Sequence, residues 1–138
     1  MGMARTVSAV FGAVYVLVGI LGFIPGLVTG SAPSGMESAD GNLLGIFPIN
    51  AIHNVVHLAI GGALLYGATG REAALMVMKV VGVTYLLVGV LGFIAPDTFG
   101  LMPIGGNDIW LHLATAAILL GVAFMDPDRD REGAARPA

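Results

Sequence analysis

The chain contains the same two-part pattern twice, and this internal repeat is the strongest constraint on its fold. Residues 10–25 read VFGAVYVLVGILGFIP and residues 80–95 read VVGVTYLLVGVLGFIA, with ten identities in sixteen positions. A second pair follows each copy, because residues 45–60 and residues 100–115 share a glycine, a proline, an isoleucine, a histidine, a leucine and an alanine. A duplicated unit of this kind predicts two structurally equivalent halves.

Composition indicates a membrane protein. Of the 138 residues, 57% are hydrophobic and only 11% are charged, whereas soluble domains carry about 25% charged residues. The 21 glycines agree with this class, because small residues let membrane helices approach closely. The chain has no cysteine, which excludes disulfides, thiolate metal sites and iron–sulfur clusters. No basic, aromatic-rich patch indicates nucleic acid, so the expected partner is the lipid bilayer.

Four apolar stretches approach the roughly 20 residues that a membrane-spanning helix needs. They cover about 7–24, 49–66, 73–94 and 108–125. The sequence therefore predicts an all-α fold in one domain, 1–125, an integral membrane four-helix bundle built from two parallel helical-hairpin repeats, 7–66 and 73–125. The glycine- and serine-rich segment 29–40 predicts a flexible loop. Residues 126–138 are polar and predict a disordered cytoplasmic tail.

The charged residues predict the orientation of these spans. If the chain crosses the membrane at these four spans, all of its basic residues lie on one side. They are Arg5, Arg71, Lys79, Arg129, Arg131 and Arg136. The opposite side carries Glu37, Asp40 and Asp97 and neither lysine nor arginine. The positive-inside rule then predicts a multi-pass protein of a bacterial plasma membrane with both termini in the cytoplasm. The first span resembles a secretory signal, but its recurrence in the second repeat favours a retained helix.

The first helix of each repeat carries small residues and a tyrosine along one face. The spacing is i, i+3, i+7 and i+10 in both copies: Gly12, Tyr15, Gly19 and Gly22, then Gly82, Tyr85, Gly89 and Gly92. Such a face predicts close packing between helices, within the bundle or in a homo-oligomer or larger membrane complex. An alternative is that the two tyrosines donate hydrogen bonds to a ligand.

The second helix of each repeat begins beside a polar group. Asn50 and Asn107 suit the N-cap positions of these helices. His53 and His57 are four residues apart and therefore share a helix face, and their repeat equivalents are Asp108 and His112. If both faces point into the bundle, all three histidines of the chain and one carboxylate converge near the outer leaflet of the membrane.

Three interpretations of this convergence remain open. The side chains of His57, His112, Asp108 and Asn54 can tie the helices together as a hydrogen-bonded network. A metal site is the second, with His53, His57, Asp108 and His112 as ligands for a divalent ion. Haem with His57 and His112 as axial ligands is the third. Polar groups inside a membrane are costly and usually serve a function.

The segment NAIHNVVHLAIGG at residues 50–62 and the paired Tyr-x-Leu-Val-Gly-x-Leu-Gly-Phe runs resemble a family of small bacterial four-helix membrane proteins. This family, frequent in actinobacteria, is described as a domain of unknown function. The resemblance covers residues 5–125. It implies a fold and a location, but neither an activity nor a cofactor.

The expected function is therefore that of a structural or accessory membrane component, with a metal- or haem-binding element for redox chemistry or transport as the alternative. The pattern argues against an enzyme, because the sequence shows neither a nucleophile beside a base nor a phosphate-binding loop.

Overall fold

The computed structural model describes residues 1–126 and contains four α-helices. They are α1 (Met3–Leu21), α2 (Ala51–Gly67), α3 (Arg71–Ile94) and α4 (Asn107–Met125). The predicted all-α class is confirmed. Three short strands, β1 (Val28–Thr29), β2 (Gly41–Leu43) and β3 (Phe47–Ile49), form one antiparallel sheet in the order β1-β2-β3.

Glycines hold α1 and α2 in backbone contact. A Cβ atom added to Gly12 would lie 2.8 Å from the backbone nitrogen of Leu65, and one added to Gly61 would lie 2.6 Å from that of Val16. Further along α1, a Cβ atom on Gly19 would lie 2.9 Å from the carbonyl oxygen of Asn54. Later residues of α1 contact earlier residues of α2, so the two helices are antiparallel. Both helices need these glycines in order to pack this closely.

The contacts between α3 and α4 involve the corresponding positions of the second repeat. A Cβ atom on Gly82 would lie 2.7 Å from Cγ of Leu120, and one on Gly89 would lie 2.7 Å from Cδ2 of Leu113. Gly92 would meet Cγ1 of Ile109 at 2.8 Å. This pair of helices is therefore also antiparallel, with large side chains filling the space that the glycines leave.

The molecule has an inverted distribution of polar and apolar side chains. Large apolar residues cover its helical surface, for example Leu17 at 54% exposure and Leu87 at 65%. The interior holds several polar side chains at 8% exposure or less: Ser8, Asn50, His53, Asn54, His57, Asp108, His112 and Thr115. Bilayer lipid accommodates such a surface, whereas water penalises large continuous apolar patches.

Three helices are long and apolar enough to cross a membrane, namely α1, α3 and α4. Helix α2 has 17 residues, which corresponds to a length of about 26 Å at 1.5 Å per residue. It is therefore somewhat shorter than the roughly 30 Å hydrocarbon layer. These dimensions and the apolar surface are those of a membrane protein.

The loop between α1 and α2 makes contacts that its sequence does not predict. Within the segment 29–40, for which the sequence predicts a flexible loop, Met36 and Ala39 are buried, and the flanking segments form the sheet. The Asp97 carboxylate accepts hydrogen bonds from the backbone nitrogen and the hydroxyl of Ser38. The glycine and serine content of the loop predicts only local turns. It does not predict these contacts, because they join residues that are distant in sequence.

Basic side chains close the opposite end of the bundle. Arg5 donates a hydrogen bond from Nε to the carbonyl oxygen of Ala68 at 2.8 Å. Arg71 and Asp126 form an ion pair with an Nε–Oδ2 distance of 3.0 Å, and Asp126 is buried. Asp126 is thus the only residue of the tail predicted at 126–138 that the structure describes, and residues 127–138 lie outside the described residues.

Candidate functional site

The first turn of α2 is fixed by its N-cap. Asn50 accepts a hydrogen bond from the backbone nitrogen of His53 at 2.9 Å, which confirms the predicted cap. Its amide nitrogen donates to the carbonyl oxygens of Ser38 at 3.1 Å and Leu101 at 3.0 Å. One buried asparagine thereby joins the α1–α2 and α3–α4 loops to the start of α2 and sets the position of His53.

The predicted cap at Asn107 is wrong. Helix α4 includes Asn107, and Gly106 precedes it at φ 61 with no side-chain cap. The Asn107 amide instead donates to the carbonyl oxygen of Ile46 at 3.2 Å. Asp108 supplies a carboxyl group in the first turn of α4, where the helix dipole favours a negative charge.

Helices α2 and α4 bring the three histidines together. The ligand atoms of His53, His57 and His112, one from each ring, all lie within 4.8 Å of one another. The ring centroids of His53 and His57 are 4.5 Å apart, and those of His53 and His112 are 6.3 Å apart. Each ring is at most 3% exposed. We call these three residues, together with Asp108, the histidine site.

Asp108 contacts one histidine of the site. Its Oδ2 atom lies 3.8 Å from Nδ1 of His53, and both side chains are 2% exposed. The backbone carbonyl groups of Pro48 and Pro103 also face the His53 ring. A carboxylate behind an imidazole is a common way of fixing the orientation of a metal-binding ring.

Two tyrosines form the inner boundary of the histidine site. The Tyr85 ring stacks on His112 with a centroid distance of 4.9 Å, and the Tyr15 ring meets His57 edge-on at 5.2 Å. The tyrosine rings stack on each other at 5.3 Å. The hydroxyl of Tyr15 shares a 3.0 Å hydrogen bond with that of Thr115. The two glycine-rich faces therefore also provide the aromatic wall of the site.

Several buried polar atoms of the site have no hydrogen-bond partner within residues 1–126. They include both ring nitrogens of His57, Nδ1 of His53, Nδ1 of His112 and Oδ2 of Asp108. Most buried polar atoms in proteins are hydrogen-bonded, so a group of unpartnered ones needs an explanation. A metal ion, a water molecule or another small ligand placed among these atoms could coordinate or hydrogen-bond to them.

A small cavity lies against the three imidazoles. Its volume is about 40 Å³, and His53, His57, His112 and Tyr85 are among its walls. A single water molecule occupies about 30 Å³ in the liquid, so the cavity has room for one ion or one water molecule.

Sequence reasoning missed Thr115 as a partner of Tyr15. These residues are 100 positions apart, and threonine within an apolar helix gives no distinctive signal. Asn54, which was expected in a hydrogen-bonded network, is buried, but its Oδ1 atom has no partner in the described part of the chain.

The fold and the site define a small helical membrane protein with a polar histidine centre. The chain belongs to the DUF4383 family, a domain of unknown function, whose model matches residues 5–125. This match confirms the resemblance to an uncharacterised family that the sequence motifs indicated. No curated protein and no solved structure matches the chain.

Proposed function

We propose that this protein is a non-enzymatic component of a bacterial plasma membrane that holds one divalent transition-metal ion in its histidine site. Zinc is the best chemical match. The observation that carries the proposal is the convergence of one ligand atom each from His53, His57 and His112 within 4.8 Å. Three imidazoles are a ligand set of zinc sites that keep a fourth position open.

The geometry requires only a small adjustment to bind the ion. At a zinc–nitrogen distance of about 2.0–2.1 Å, tetrahedral ligand nitrogens are about 3.3 Å apart. The imidazoles are therefore within about 1 to 2 Å of the required separation, which side-chain rotation can supply. Asp108 lies beside His53, with 3.8 Å between Oδ2 and Nδ1, and could orient this imidazole as carboxylates do in the outer shell of zinc sites after a shift to hydrogen-bond distance.

The other two interpretations have less support. A hydrogen-bonded network would pair the nitrogens of His57, but neither has a partner within residues 1–126. Haem would need more room, because the cavities against His57 measure about 40 and 210 Å³. Sites for drug-sized molecules already take about 300 Å³ or more.

Metal binding is tested with tag-free protein, because an affinity tag would add histidines. After treatment with EDTA, the protein is titrated with Co²⁺, whose visible absorption is intense in a tetrahedral site, and Zn²⁺ is then added as a competitor. We expect one Co²⁺ per chain, displaced by Zn²⁺. Because each imidazole supplies a direct bond, His112→Ala should weaken binding by at least about 100-fold.

Thr115→Val is the control, since this residue lies beside the site but is not a ligand of the proposed ion. It should keep the absorption band of Co²⁺. If elemental analysis and the titration both show no bound metal in the unsubstituted protein, the metal proposal is wrong. A band that survives His112→Ala would place the ion elsewhere.

We further propose that all four helices cross the membrane with both termini in the cytoplasm. The antiparallel contacts of α2 with α1 support a full crossing by α2 despite its length of 17 residues. Arg5 and Arg71 lie at the end of the bundle formed by the α2–α3 turn, and Glu37, Asp40 and Asp97 lie in the loops at the other end. This distribution satisfies the positive-inside rule.

Because the chain has no cysteine, single cysteines can report its topology. In intact cells, a membrane-impermeant maleimide should label Glu37→Cys in the α1–α2 loop and leave Thr69→Cys in the α2–α3 turn unlabelled. Both positions are exposed. Thr69→Cys should react after lysis, which controls for its reactivity. The reverse pattern in intact cells would invert the orientation, and equal labelling of both would contradict it.

A further inference from the structure

Each repeat presents one exposed apolar tip in the loop that precedes its second helix. The first tip, 44–46, reads LGI and the second tip, 99–101, reads FGL, at equivalent positions of the two repeats. Leu44 and Ile46 are 58% and 51% exposed, and Phe99 and Leu101 are 90% and 54% exposed. Exposed apolar groups that lie close together mark contact with a membrane or with another protein.

Both tips have the same left-handed backbone conformation. Leu44 and Phe99 have φ values of 53 and 57, and the glycines that follow them have φ values of 73 and 85. A side chain in this region costs roughly 1–2 kcal/mol, a cost that glycine avoids. Leucine and phenylalanine nevertheless occupy the two positions, which indicates that the exposed apolar side chain itself has a use.

The backbone around each tip is hydrogen-bonded within the protein. Every backbone nitrogen of 44–46 donates to a carbonyl oxygen of the α1–α2 loop, at 2.8 to 3.1 Å. Those of 100–102 donate to carbonyl oxygens of the α3–α4 loop, at 2.9 to 3.4 Å. A lipid environment requires such internal pairing because it offers the backbone no partner, whereas water makes it unnecessary.

Two asparagines complete this pairing. The Asn107 amide donates to the carbonyl oxygen of Ile46 at 3.2 Å, and the Asn50 amide donates to that of Leu101 at 3.0 Å. Each asparagine belongs to the other repeat and lies at the start of its second helix. Both tips are therefore held beside the first turns of α2 and α4.

The tips also adjoin the sides of the bundle. Leu44 and Phe47 line the cavity of about 210 Å³ between α1 and α4, beside Leu111, which is 37% exposed on the apolar outer surface. Met102 is the repeat equivalent of Phe47 and lines the cavity of about 40 Å³ between α2 and α3, beside Val88. Each loop thus continues the lipid-facing helix surface, which favours lipid over a water-soluble protein as the partner of the tips.

The only tryptophan of the chain lies at the same level as the first tip. Trp110 is in the first turn of α4, is 64% exposed and meets the ring of Phe93 edge-on at 5.8 Å. Tryptophan is enriched where a membrane meets water. Because Asn107 in the same turn binds the Ile46 carbonyl group, the first tip lies near this interface.

We propose that both tips are immersed in the membrane interface at this end of the bundle, with the boundary between lipid headgroups and acyl chains as their partner. The immersed tips anchor the loops that hold the starts of α2 and α4, where His53 and Asp108 lie. This proposal rests on the four-span topology proposed above and requires no metal ion.

The test moves the single tryptophan to each tip in turn. Trp110→Phe removes it, and Leu44→Trp or Phe99→Trp then introduces one fluorescent reporter. Each variant is reconstituted with phosphatidylcholine that carries bromine, a contact quencher of tryptophan, near either the carboxyl end or the methyl end of an acyl chain. We expect both reporters to be quenched at least about twofold more by bromine near the carboxyl end, since the interface lies there.

Ser34→Trp in the same Trp110→Phe background is the control, because Ser34 is exposed in the α1–α2 loop outside the tip. It should be quenched by iodide in the buffer and by neither brominated lipid. If the tip reporters behaved like this control, the tips would lie in water and the proposal would be wrong. Quenching by lipid at one tip alone would also overturn it. Cysteine labelling reports the side of the membrane and bromine quenching reports depth, so either result can fail without the other.

Discussion

Replacing Gly61 with leucine is expected to destabilise the protein by about 3 kcal/mol, because its Cβ atom would meet backbone and not a movable side chain. That atom would lie 2.6 Å from the Val16 nitrogen and 2.9 Å from the Gly12 carbonyl oxygen. Backbone atoms of α1 can withdraw only if the whole helix moves, which would also disturb Tyr15 and the histidine site. Unfolding of the purified protein in mixed micelles measures the effect.

Gly62→Leu is the matched control for this prediction. Gly62 is the next residue of the same helix, and a Cβ atom there would meet nothing within 4 Å. Both substitutions gain helix propensity equally, by up to about 1 kcal/mol. The difference between the two variants therefore isolates the contact with α1. Equal stability of Gly61→Leu and Gly62→Leu would show that the close approach of α1 and α2 is not required.

Replacing His57 with leucine is expected to stabilise the metal-free protein while abolishing metal binding. The two ring nitrogens of His57 are buried without hydrogen-bond partners in the described residues. A buried polar atom without a hydrogen bond destabilises the folded protein by about 1–3 kcal/mol. Leucine has a similar size and no polar atom, so the free energy of unfolding should rise by about 1–3 kcal/mol. Thermal unfolding with EDTA measures the stability, and Co²⁺ titration measures the binding.

The opposite change is expected for His53→Leu. This substitution removes the imidazole that the backbone carbonyl groups of Pro48 and Pro103 face, and it leaves a buried acceptor there without its donor. Stability of the metal-free protein should therefore fall. If His57→Leu also lowered stability, His57 would be a structural tie between helices, and the hydrogen-bonded network would replace the metal site as the better explanation.

The helices and their contact faces could be predicted from short-range patterns. The spacing of Gly12, Gly19, Gly82 and Gly89 identifies the faces that pack, and each of them meets the neighbouring helix closely. A helical period of 3.6 residues makes such faces visible in the sequence without knowledge of the partner. The same period predicts that His53 and His57 lie on one face of α2.

The contacts of the α1–α2 loop were not predictable in the same way. The contact of Ser38 with Asp97 and the two hydrogen bonds that Asn50 donates join segments that are 12 to 59 residues apart. The composition of the loop indicates turns, which are local, and carries no signal for the strand pairing of Val28 with Leu43. The cap failed at Asn107 because the helix already includes this residue, after Gly106 at φ 61, and its amide donates to the distant Ile46 carbonyl group.

Four helices, their packing faces and the polar residues inside the membrane could all be predicted from the sequence, because each depends on composition or on a short repeat. Three further features became visible only in three dimensions: the imidazoles meet within 4.8 Å, Asp108 faces His53, and a cavity opens beside His57. Those features depend on the relative rotation and height of α1, α2 and α4. Packing over the whole bundle sets these quantities, and no local pattern encodes them.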